Sequence, residues 1–219
     1  MSLARLLIRC CFPALLVLAS ACTTTRIDEQ RVTSAAVGKG DAVVVLGRRH
    51  SSDYDTEPGF ISCIGKGVGA SGAHVVPELE FLNGFYPWFE PRTAPMSLQR
   101  LDGLMQKPRF AQRMRELGLR YIVWVDGKTE TTDKAGSISC AIGPGGAGCI
   151  GFGTWDRAST YEASVWDLRQ KETIARISAS SQGTSYMPAL IVPVPIIARV
   201  QAAACDVLSA RLQKLFVAQ

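Results

Sequence analysis

Twelve almost wholly apolar residues, Cys10 to Ala21 (CCFPALLVLASA), follow a start that carries Arg5 and Arg9 and no acid, and they stop at Cys22. A membrane-spanning helix needs roughly 20 apolar residues, so this run is too short to span. It suits the apolar core of a secretory signal, with small residues at its end for cleavage. A chain exported this way folds in an oxidising compartment, where its cysteines can become cross-links.

The step Leu18-Ala19-Ser20-Ala21-Cys22 resembles the lipobox of bacterial lipoproteins, with Ala19 at the place that usually holds leucine. The resemblance implies a signal peptide over 1–21 and lipid (palmitate among its acyl chains) on Cys22. An ordinary signal cut would instead leave Cys22 as a plain thiol. One acyl chain binds a bilayer with only about 10⁴ M⁻¹, so the two or three chains of such lipoproteins give a lasting tether. Thr23 rather than Asp after the cysteine implies sorting to the outer membrane, on its periplasmic face. The polar stretch behind it reads as a flexible tether, so 22–40 is assigned to the lipidated N-terminus and 41–219 to one periplasmic domain.

Cleavage takes Arg5 and Arg9 out of 24 basic residues, against 19 acids, and leaves a net charge of +3. No basic block suggests nucleic acid. Cys10 and Cys11 leave with the signal and Cys22 takes lipid. Cys63, Cys140, Cys149 and Cys205 remain, an even set that allows three pairings. Cys140 and Cys149 bracket the foldable loop AIGPGGAG, which favours Cys140–Cys149 with Cys63–Cys205. Buried free thiols are the alternative. No C-x₂-C spacing supports zinc.

The run Asp41–Leu46 reads as a buried strand; within the Gly-rich stretch Gly59–Gly72, FISCI reads as a second strand and Gly67–Gly72 as a flexible loop. Asn83–Pro95 (NGFYPWFEPRTAP) is too rich in proline for a regular element and reads as a packed irregular segment. Ser97 can cap one helix, and Pro108 can start another that stops at Gly118. Tyr121–Val125 is a strand. Tyr161–Leu168 and Thr173–Ser181 form a hairpin about RQKE. Ile197, Val200, Ala204, Leu208, Leu212 and Leu215 mark a final amphipathic helix. The expectation is an α+β (mixed α/β) fold, a single sheet of about four to five strands packed by two or three helices.

Chemical motifs fail on inspection. Gly67–Gly72 fits G-x-G-x-x-G, but Arg92 stands where a dinucleotide site needs an acid. Gly59 and Gly65 are one residue too far apart for a phosphate loop, and Gly67 follows Lys66 where Ser or Thr is required. His50 lies near Ser51, Ser52, Asp53 and Asp55 without a nucleophile elbow. His74 has Glu78 and Glu80 nearby, but nothing completes a metal set. No catalytic residue, metal or cofactor is expected.

Two apolar segments raise the question of docking. Met187–Ala198 holds three prolines, which rule out a spanning helix or a central strand. It is either a buried connection or an exposed interaction site, with Leu190, Ile191 and Val192 at its centre. FYPWF poses the same choice through Phe85, Trp88 and Phe89. The loop Gly143–Gly153 reads as a disulfide-pinned hairpin tip, or as a contact with membrane or partner.

Segments such as PWFEP, GPGGAGC and YMPALIVPVPI resemble a group of proteobacterial lipoproteins of no assigned activity. The strand YIVWVDG, the hairpin YEASVWDLRQKETIARISASS, the final helix and the step Glu116–Tyr121 also resemble the periplasmic domains of curli-secretion lipoproteins and of penicillin-binding-protein activator lipoproteins. Curli-type pores carry long alternating strands, and no pair of about ten residues is legible here. The functional expectation is a lipid-anchored, non-catalytic binding or assembly factor with an envelope protein partner. The alternatives are an envelope hydrolase, or a subunit of an oligomeric outer-membrane secretion complex.

Overall fold

In the computed structural model the described residues are 23–33, 35, 37–38, 40–49 and 56–217. The signal peptide, Cys22, His50, Ser51, Ser52, Asp53 and Asp55 lie outside them. The elements run β1 (Thr23–Arg31), β2 (Ala42–Gly47), α1 (Pro58–Gly69), β3 (His74–Val76), α2 (Glu78–Gly84), α3 (Leu98–Met105), α4 (Pro108–Glu116), β4 (Leu119–Gly143), β5 (Gly146–Asp167), β6 (Glu172–Ile191) and α5 (Val200–Phe216). The described residues fall into two compact units. One holds 130–158 and 182–200; the other holds 25–129, 159–181 and 201–219.

The larger unit is a mixed α/β layer structure. Strand order is β1-β6-β5-β4-β2-β3. β2 pairs in parallel with β3 and with β4, Val43 opposite Tyr121 and Leu46 opposite Trp124. Parallel strands are covered on both faces, which explains why AVVVL and YIVWV are continuous apolar runs. Val43, Val45, Tyr121 and Val123 face one core with α1 and α5. Ala42, Val44, Leu46, Ile122 and Trp124 face the other, with Phe81, Leu101, Phe110 and Met114 from α2, α3 and α4.

Local signals account for most of the helices. Ser97 Oγ accepts the Arg100 N–H, capping α3. Pro108 opens α4, and Gly118 closes it at φ +61°, where a Cβ would lie 2.5 Å from the Gly40 carbonyl oxygen. The hairpin about RQKE and the face Ala204, Leu208, Leu212, Leu215 of α5 stand as read from the sequence.

Four expectations need correction. The sheet has six strands rather than four or five, and five helices rather than two or three lie among the described residues. Residues 23–31 are not a tether: they form β1 beside β6, with Val32 N–H donating to Ile174 O (2.9 Å) and the Thr25 and Ser181 hydroxyls bonded at 2.8 Å. FISCI is not a strand but part of α1, which Pro58 starts and Phe60, Ile61, Ile64 and Val68 bury. Finally, β4, β5 and β6 are 25, 22 and 20 residues long, so extended strands are present after all.

Helix α1 keeps its glycines because it lies close against α5. The Cys63–Cys205 disulfide joins the two helices, and one turn further along each, Gly67 meets Ser209. A Cβ at Gly67 would lie 2.3 Å from the Ser209 Cβ. Gly67→Ala is therefore expected to cost about 1–3 kcal/mol in urea unfolding, despite alanine's better helix propensity. Adding Ser209→Gly removes the clash, so the pair should be non-additive by about 1 kcal/mol or more. Strict additivity would show that the helices do not touch there.

Candidate interaction surface

The smaller unit is an arm of extended chain. It holds β4 from Glu130, β5 to Ala158, β6 from Gln182, and the segment that returns to α5. The turn Gly143-Pro144-Gly145-Gly146 links β4 to β5, with Gly146 at φ +124°, a value that glycine adopts without strain. Cys140 and Cys149 are bonded across the hairpin, the short pairing favoured from the sequence. By the chain-entropy estimate a loop this short is held with about 3 kcal/mol.

The proline-rich segment is exposed. Leu190, Ile191 and Val192 are 80%, 73% and 67% accessible, and Val194 is also exposed. The segment folds back on β6: Tyr186 and Ile196 exchange both backbone bonds (2.8 and 2.7 Å), and Val194 N–H donates to Pro188 O at 3.0 Å. Ala198 N–H donates to Ser185 Oγ (3.0 Å). Its apolar side chains are thus held outward on an ordered backbone. Ile191 has φ +137°, a strained value for a β-branched residue, and such strain collects at functional sites. Ile142, Ile150 and Phe152 of the hairpin are exposed as well, and the Phe152 ring lies 6.1 Å from that of Tyr186.

The arm also lacks charge. From Ala135 to Trp155 and from Gln182 to Ala198 there is no Asp, Glu, Lys, Arg or His. At the chain's 20% charged share, 38 residues should hold about eight. Glycine and serine break the apolar run and hide this signal from a hydropathy pattern.

FYPWF belongs to the core of the larger unit, which corrects its reading as a docking segment. Phe85 and Phe89 are buried and Trp88 is partly so. Phe85 meets Phe81 and Phe110 edge and face, Trp88 meets Phe110 edge-on, and Phe89 stacks towards Trp124. Tyr86 and Pro87 are the exposed members of the five.

No catalytic set assembles among the described residues of the larger unit. His74 is exposed at the start of β3. Glu78 accepts the Gly47 N–H (2.9 Å) and pairs with Arg49. No group of three metal-ligating side chains occurs among the described residues. A hollow of about 360 Å³ is lined by Asp41, Met105, Met114, Arg115, Arg120 and Arg169. Its charges hold one another: Arg120 donates to Asp41 (2.8 Å) and Asp167 (3.2 Å), and Arg169 donates to Asp41 (3.0 Å). Burial alone would raise the Asp41 carboxyl. The Arg120 hydrogen bond, the Gly38 N–H and the two guanidinium charges outweigh burial and hold it below the usual value. Under α1, Glu57 accepts from the Thr129 N–H and from the Tyr161 hydroxyl, both at 2.8 Å. Burial, then the Glu57 charge, pushes the Tyr161 hydroxyl well above its ordinary value. Both clusters tie elements together.

No family model matches this chain, and no curated protein matches it. Solved structures of the PelC dodecamer from Paraburkholderia phytofirmans, one of the protein and one of a point variant, show likeness at TM-scores of 0.43. They are 14% and 13% identical, covering 90% of this chain and 99% of theirs. Likeness at that level transfers no function.

Two measurements check this assignment. Phe89→Ala should lose about 3–5 kcal/mol, as a core aromatic does, whereas Leu190→Ala should change stability by less than about 0.5 kcal/mol. Equal losses would place Leu190 in a core. The depressed Asp41 value favours the folded state above the carboxyl's ordinary range near 3.8 and loses that stabilisation as pH falls through the folded value. Asp41→Asn should therefore lower stability at neutral pH and flatten the acid limb of a stability–pH curve. An unchanged acid limb would remove Asp41 as a contributor.

Proposed function

We propose that this chain is a lipid-anchored, non-catalytic factor of the bacterial envelope, exported to the periplasm and tethered at the outer membrane through Cys22. The uncharged arm is its interaction surface, and the α/β unit is its scaffold. The single observation that carries the reading is the exposed apolar ridge Leu190, Ile191, Val192 and Val194, on a backbone fixed by hydrogen bonds. Exposed apolar side chains grouped in this way mark interaction sites. The export segment and the lipobox-like step support the tether. An envelope protein or the lipid phase itself would meet the ridge. Of the two alternatives, membership of an oligomeric outer-membrane complex is favoured over hydrolysis by the length of β4, β5 and β6.

Cys22→Ala should abolish metabolic palmitate labelling and release the protein from membranes, or leave an uncleaved precursor. Unchanged labelling would remove Cys22 as the lipid site. Leu190→Asp with Ile191→Asp should leave the melting temperature within a few degrees, because both side chains already face water, and should abolish in-cell crosslinks to envelope components. A double variant that melts normally and keeps every crosslink would exclude the ridge as the interaction surface.

A further inference from the structure

We infer that the larger unit binds a small α-amino acid, held as its zwitterion, in the crevice at the carboxyl ends of β2 and β4. The inference goes beyond the ridge of the smaller unit and does not depend on it.

The path of the chain opens this crevice. β2 leads through α1 to β3 on one side of it, and β3 leads through α2, α3 and α4 to β4 on the other side. The connecting helices cover opposite faces, α1 with α5 one face and α2, α3 and α4 the other. The strand order thus reverses between β2 and β4. In open sheets of parallel strands such a pair leaves a crevice outside its carboxyl ends, and ligands bind there. The paired stretch ends at Gly47 and Val125, just past which Arg48 N–H donates to Val125 O at 2.8 Å.

A hollow of about 200 Å³ lies at that place. It is lined by Arg48 beyond β2, by Trp124 and Asp126 of β4, and by Thr160, Glu162 and Ser164 of β5. Leu46 and Trp124 belong to the core under α2, α3 and α4, and Arg48 and Asp126 follow them two positions on, where side chains share a face. Gly127 sits behind the hollow at φ +130°, and a Cβ there would collide with the Thr160 carbonyl oxygen, so glycine lets β4 and β5 close up. The hollow is smaller than the roughly 300–1,000 Å³ of sites for drug-sized ligands, so its occupant has few heavy atoms.

Charge is ordered across the hollow. In the strand order β5-β4-β2, Glu162 stands on the first, Asp126 on the second and Arg48 beside the third. Arg48 and Asp126 lie 3.4 Å apart, wider than the roughly 2.7–2.9 Å of a direct charge-assisted hydrogen bond, and both are open to water. Glu162 is also approached by Arg176 from β6 at 3.2 Å, and that pair is exposed too. Exposed ion pairs contribute little, so a ligand that offers a partner to each charge can take their place. A carboxylate matches the Arg48 guanidinium. An ammonium matches Asp126 and Glu162. An α-amino acid carries both groups on one carbon, whereas a simple anion or cation answers only one side.

Trp124 adds a second, independent observation. It is 5% exposed, and its indole N–H has no hydrogen-bond partner among the described residues. Buried polar groups are nearly always bonded, so a donor left over in the wall of a hollow calls for an acceptor. The ring is fixed between those of Phe89 and Trp166, with centroids 6.2 and 5.9 Å away. A ligand carboxylate on Arg48 brings acceptor oxygens to the side of the hollow that this ring forms.

The test is isothermal titration calorimetry of the full chain in detergent, with glycine and alanine as probes and acetate, methylamine and glucose as comparisons. Saturable binding of an amino acid in the millimolar range or tighter is expected, with acetate and methylamine weaker by about tenfold or more. Arg48→Ala and Asp126→Asn should each weaken that binding by about tenfold. Both side chains face water, so the melting temperature should hold within a few degrees and report that the variants fold. No saturable heat with either amino acid would overturn the inference, as would binding that survives both substitutions unchanged. Acetate or methylamine bound as tightly as alanine would overturn it in favour of a single charge. Glucose bound where the amino acids are not would overturn it in favour of a polyol.

Discussion

The parallel pairing of β2 with β4 organises the larger unit. It joins β2 to a strand that follows four helices, and it buries the paired stretches of both strands on both faces. Such a pair cannot stand alone, since each face needs a cover. Helices α1 and α5 supply one cover and α2, α3 and α4 the other. The disulfide between Cys63 and Cys205 lies within the first cover and cross-links the two helices that form it. The side chains of Asp41, Arg120, Asp167 and Arg169 are engaged with one another at the start of β4, where they tie β2, β4 and the end of β5 together.

Much of that unit was legible because its local signals agree with its packing. The runs AVVVL and YIVWV can only be buried strands. Ser97, Pro108 and Gly118 mark helix ends by backbone chemistry that needs no tertiary context. The cysteine pairing followed from compartment and loop length. Helix α1 was illegible for the opposite reason. Its glycines lower helix propensity and suggest a loop, and only close approach to α5 at Ser209 explains why Gly67 is there. Strand β1 was missed because polar alternation in TTTRIDEQR on a sheet edge resembles a solvated linker until its partner is known.

The candidate surface divides along the same line. FYPWF and the proline-rich segment are equally apolar in sequence, yet the first supplies rings to the core and the second faces outward. Composition does not separate them, because burial depends on which helix covers a segment. What does separate them is the neighbourhood in the chain. FYPWF lies among charged residues, with Glu90 and Arg92 following at once, whereas the proline-rich segment belongs to a tract with no charge at all. A water-facing surface without charge is unusual. It is the property that unites the hairpin, the ridge and the strained Ile191 in one account.

The central claim is that the exposed ridge of the smaller unit is the interaction surface and the α/β unit its scaffold. Site-specific photocrosslinking in cells reads this directly, with the photoreactive side chain placed at Leu190 of the ridge or at Leu79, an equally water-facing position on α2. Crosslinks to envelope components are expected from Leu190 and not from Leu79. Equal crosslinking from both positions, or none from Leu190, would contradict the account.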